Sequence, residues 1–127
     1  MISESEVSGK RIFITVPGLS ASSASQSIFV APNSPDKFRV IRAAARFHVA
    51  STSGTVQVEV ADAGVAPGSG VNQLDSTLDL SGTVDTNVGE GASAPTEFGE
   101  GSVLNLILGG TLTGLADCDV VVELERV

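Results

Sequence analysis

The sequence predicts an all-β protein, an antiparallel β-sandwich that is jelly-roll-like, with seven or eight strands. Three observations carry this expectation. Apolar and polar residues alternate with period two in several segments, most clearly in GTVQVEVAD, where Val56, Val58 and Val60 face opposite to Thr55, Gln57 and Glu59. Turn residues punctuate the chain at short intervals, as in Pro17-Gly18, Pro32-Asn33 and Gly109-Gly110. No alternation of strand and helix patterns suggests a parallel sheet.

Taken in order, Ile12, Ile14 and Val16 form the first apolar parity, and Pro17-Gly18 is expected to stop that strand. A small-residue loop, LSASSASQ, leads to a short strand in which Ile28 and Val30 alternate with Phe29. In KFRVIRAAARFHVA the phase slips: Phe38 and Val40 share one parity, then Ile41, Ala43, Ala45, Phe47 and Val49 take the other. A one-residue slip inside a strand would turn core residues to solvent, so a β-bulge is expected at Val40-Ile41. The bulge places Lys37, Arg39, Arg42, Arg46 and His48 on one face. Ala and Arg also favour helix here, but the β-branched and aromatic content favours strand.

Pro67 with Gly64, Gly68 and Gly70 makes residues 62–75 a loop, and TLDLSG reads as a short strand with Leu78 and Leu80 inward. Turns and short edge pairings are expected through TVDTNVGEGASAPTEFGEG. In VLNLILGGTLTGL, Leu104, Leu106 and Leu108 share one face while Val103, Asn105 and Ile107 share the other. That second face is apolar apart from Asn105 and wants cover from a loop, a subunit or another surface. The final strand sets Val120, Val122 and Leu124 inward. Residues 1–10 read as a polar N-terminal arm and residues 11–127 as one sandwich domain, long enough to bury roughly two-thirds of its unfolded surface.

Fifteen acidic against seven basic residues give a net charge of −8, which opposes binding to nucleic acid or anionic lipid. No segment approaches the roughly 20 apolar residues of a membrane span, and MISESEVSGK lacks the apolar run of an export signal. With one cysteine, Cys118, and one histidine, His48, neither a disulfide nor a zinc site is expected. The glycine clusters lack the lysine of a phosphate loop and read as turns. No nucleophile-elbow motif supports catalysis by Ser and His48, so no enzyme activity and no cofactor are expected. Asp62, Asp75, Asp79 and Asp85 flank loops and could offer oxygen ligands to calcium, although no calcium-loop spacing joins them. The basic stripe Lys37, Arg39, Arg42 and Arg46 could meet an acidic partner or the chain's own carboxylates.

Four stretches, IFVAPNSPDKFRVIRAAARF, GTVQVEVADAGVAPGSG, STLDLSGT and GEGSVLNLILGGTLTGLADCDVVVELER, together resemble small virion structural proteins of tailed phages, of the capsid decoration (cement) type. The resemblance covers about residues 26–126. It implies a homo-oligomer, typically a homotrimer, bound to the major capsid protein on the outer surface of the virion head after synthesis in the host cytoplasm. It also implies an arm reaching over neighbouring shell subunits, for which Ile2 and Val7 are the candidate anchors. Arg39, Arg42, Arg46, Val103 and Ile107 are the candidate oligomer or capsid contacts. A tail, baseplate or head-fibre base subunit, or a non-viral β-sandwich binding module, are the alternatives.

Overall fold

The computed structural model describes residues 3–7 and 10–127. Among the described residues, ten strands form two antiparallel sheets: β1 (Ser3–Val7), β2 (Arg11–Leu19), β3 (Gln26–Val30), β4 (Phe38–Val49), β5 (Thr55–Asp62), β6 (Val71–Asn72), β7 (Leu78–Asp79), β8 (Val88–Gly91), β9 (Ser102–Gly109) and β10 (Ala116–Arg126). Seven of them are five residues or longer, and the other three are short edge pieces. Sheet one runs β1-β2-β10-β4-β8, and sheet two runs β3-β9-β5-β6 with β7 also paired to β5. From β2 onward the chain crosses between sheets at every connection except β5 to β6 and β6 to β7. This is the strand order of a jelly roll, in which two antiparallel sheets close over one core.

Alternation explains why the layers meet. Ile14, Val16, Val40, Phe47, Val120, Val122 and Leu124 of sheet one are buried against Val56, Val58, Leu78, Leu104 and Leu106 of sheet two. Burying each of the larger side chains is worth about 1.5–3 kcal/mol, so the aliphatic core holds the layers together without tryptophan or tyrosine. Where β3 hands over to β4, Phe29 and Phe38 meet edge to face with ring centroids 5.2 Å apart, and Phe98 packs on both.

Three register shifts shape the sheets. Opposite β10, Glu123 pairs with Arg42 and Leu124 with Val40, so Ile41 is the extra residue of the expected bulge. Phe38, Val40, Ala43, Ala45 and Phe47 accordingly all point inward. Val49, expected on that apolar side, is exposed at the strand end instead. Pro17-Gly18 does not stop β2: the strand continues to Leu19 through a bulge, with Gly18 at φ 72° and its N–H donated to Asp119 Oδ1 at 3.0 Å. Proline has no N–H to lose and glycine takes the left-handed conformation freely, so the pair bends the strand rather than ending it. In β3 the extra residue is Ile28. It buries Ile28 and Phe29 side by side and leaves Val30 66% exposed, where simple alternation would have put Ile28 and Val30 together.

The polar arm expected over residues 1–10 supplies a strand. Ser3–Val7 pairs with Arg11–Thr15, a register that suits the alternating Ser-Glu-Ser-Glu-Val sequence. Val7 stands opposite Arg11, while Ile2 lies outside the described residues.

Candidate interaction surfaces

The outward side chains of sheet one form rungs across three strands. Glu123 on β10 is buried between Arg42 on β4, whose Nε lies 2.7 Å from it, and Arg11 on β2. Two residues on, Glu125 accepts from Arg39 Nε and Nη2 at 3.0 and 2.8 Å. Burial alone would raise the pKa of Glu123, but the hydrogen bonds and charges of Arg42 and Arg11 outweigh it and hold the carboxyl below its usual range. The Arg39 bonds do the same for Glu125. The next rung is uncharged: Ala44, Val121 and Thr15 lie side by side, all half-buried, with Phe13 adjacent. Two shallow depressions open there, of about 280 Å³ and about 240 Å³, sharing Ala44 and Val121 as floor. Beyond it Arg46 stands opposite Asp119 across the strands; it is exposed and makes no ion pair among the described residues.

Sheet two presents a different outer face. Glu59 is 2% exposed and accepts from Gly68 N at 2.8 Å, Gly70 N at 2.9 Å and Asn105 Nδ2 at 2.9 Å. Asn105 Oδ1 in turn accepts from Ser27 Oγ at 2.7 Å. Burial opposes ionisation of Glu59, yet these three donors together lower its pKa. The glycine-rich loop after β5 is thereby folded back over Glu59, which bonds Asn105 of β9 on the same side of the sheet. Val103 keeps only 6% of its surface, so little of it is left for an outside contact, while Ile107 is half-buried opposite Gln57.

A cleft of about 310 Å³ lies at the aromatic end, lined by Ile12, Ile28, Phe29, Val30, Pro32, Phe38 and Arg126. The Arg126 guanidinium sits 5.9 Å from the centre of the Phe38 ring and 3.8 Å from Asp36.

The remaining reactive groups are dispersed. His48 Nδ1 lies 3.1 Å from Asp85, and that bond and charge raise the imidazole pKa above 6.5 on an exposed strand end. Cys118 is fully buried, and desolvation pushes its thiol up to about 11. Asp75 and Asp79 accept from Ser93 and Ser81 respectively, rather than converging with Asp62 and Asp85. Among the described residues, no three His, Cys, Asp or Glu gather into a metal-holding group, and no helix is long and apolar enough to cross a membrane.

Charge divides between the halves of the molecule. All seven cations, Lys10, Arg11, Lys37, Arg39, Arg42, Arg46 and Arg126, lie in strands of sheet one or one residue away. Seven carboxylates share that sheet: Glu4, Glu6, Glu90, Asp117, Asp119, Glu123 and Glu125. The other eight carboxylates lie on sheet two and in loops; Asp36 adjoins Lys37 and lies 3.8 Å from Arg126, and the remaining seven carry most of the net charge of −8. The sequence exposed the basic stripe, but not that its carboxylate partners come from a strand about 80 residues away.

No protein-family model matches the chain, and no curated protein matches it.

Proposed function

We propose that the chain is a structural subunit of a tailed-phage virion, decorating the outside of the capsid as a homo-oligomer, in the expected case a homotrimer. It braces the head by bridging copies of the major capsid protein. The supporting observation is where the resemblance falls: the four stretches that carry it coincide with β3, β4, β5, β7, β9, β10 and their turns. What the chain shares with such proteins is thus a scaffold and its surfaces, not a reactive centre. A sandwich of this kind acts by binding. Attachment to the assembled lattice alone shifts the equilibrium toward that lattice, and several linked copies turn weak patches into firm attachment.

The test is cosedimentation of the purified protein with particles of the phage that encodes it. Binding to mature heads, with none to unassembled shell protein, is the expected result. Equal binding to both, or to neither, would sink the bracing mechanism. Recovery with tails rather than heads would support the tail or baseplate alternative.

A further inference from the structure

We infer that the outer face of sheet one, centred on Ala44, Val121 and Phe13, is the surface by which copies of this chain meet, with sheet two turned away from its neighbours. This inference deepens the oligomeric part of the proposed function and names its contact. Charge selects the occupant. A molecule of net charge −8 repels its own kind, and that repulsion is smallest where charge is balanced. Sheet one comes nearest to that condition, because the seven cations in or next to its strands offset its seven carboxylates, whereas the strands of sheet two carry Glu59, Asp62 and Asp79 without a cation.

The chemistry of the face agrees. Interfaces favour an apolar centre, a polar rim and arginine. Here the half-buried Ala44–Val121–Thr15 rung is flanked by the Arg42–Glu123–Arg11 bridge on one side and by Arg46 and Asp119 on the other. The Glu123 carboxylate is already paired with both arginines, so covering the bridge leaves no unpaired buried carboxylate. Arg46 is free to reach a carboxylate of the second copy. The sheet edges offer less: β1 carries Glu4 and Glu6, β8 is four residues with two glycines, β6 is two residues, and β3 is broken by its bulge. Association by a face, not by adding strands at an edge, is what remains.

The experiment measures mass in solution, by light scattering and sedimentation, across micromolar concentrations. The wild-type protein is expected to assemble. Ala44→Glu sets a carboxylate at the centre and should weaken association about tenfold or more. Arg46→Glu, at an exposed and unpaired position, should weaken it severalfold while the protein still folds, at a small cost in stability from the facing Asp119. Val71→Glu on sheet two, at a residue 72% exposed, should leave the assembly intact. Rising salt should tighten association by screening the net repulsion. A wild-type protein that stays monomeric overturns the inference, as do association that weakens with salt and variants at Ala44 and Arg46 that assemble normally. Should Ala44→Glu fail to melt cooperatively, Arg46→Glu carries the test alone. Cosedimentation with heads is read separately, so a monomer that still binds capsids refutes this contact and leaves the proposed function standing.

Discussion

Glu59 does at residue scale what no local pattern announces. It lies on the polar parity of the clearest alternating strand, where a solvated carboxylate is the ordinary expectation. Instead Gly68, Gly70 and Asn105 all donate to it, and the loop closes over it. The alternation gave its face correctly. Its burial depends on a loop that returns nine to eleven residues later, which periodicity does not encode. Replacing it by alanine strands two backbone N–H groups and the Asn105 amide, at a cost of about 3 kcal/mol. Glu59→Gln retains an acceptor and should lose clearly less. Chemical denaturation of both variants checks the order, and equal losses would mean that the carboxylate charge matters more than the cap.

At the scale of elements, the bulges decide which faces look inward. The one at Ile41 was legible because two apolar parities collide within a single strand, and only an extra residue reconciles them. Those in β2 and β3 were not. Pro17-Gly18 carries the chemistry of a turn, and only the partner strand β10 shows that pairing resumes at Leu19. Ile28-Phe29-Val30 is apolar throughout, so its parity is settled by packing with Phe38 and Phe98 and not by pattern. β1 was missed for want of an apolar parity, since an edge strand of Ser and Glu reads as a tail. A deletion pair tests the bulge. Removing Ile41 restores unbroken alternation of Phe38, Val40, Ala43, Ala45 and Phe47, so that protein should fold, less stable by about 1 kcal/mol for the lost bond from Ala92 N to Ile41 O. Removing Ala44 turns Ala45 and Phe47 outward and should abolish cooperative melting. Circular dichroism distinguishes the two, and equal tolerance of both deletions would show that register is set elsewhere.

For the whole molecule, the fold class was readable from alternation and turns, while the division of charge became visible only once β4, β10 and β2 lay side by side. Two buried and hydrogen-bonded carboxylates make stability depend on acid. Glu59 and Glu123 have pKa values below the ordinary 4.5 when folded, so as pH falls the unfolded chain takes up their protons first. Their stabilisation is complete above about 4.5 and is lost as pH descends through the folded values. Thermal melts should fall steeply over that range, and more gently for Glu123→Gln. A parallel decline in both proteins would assign the acid loss to other carboxylates.

Strand order also sets a timetable. β9 inserts between β3 and β5, and β10 between β2 and β4, so the central strand of each sheet is made after the strands it joins. Before residue 102 leaves the ribosome, the only pairings open to these ten strands are β1 with β2, β4 with β8, and β5 with β6 and β7. Such contacts leave the apolar faces uncovered and hold little order alone. The nascent chain is therefore a set of unjoined fragments with open edges, and both layers close late, through contacts distant in sequence.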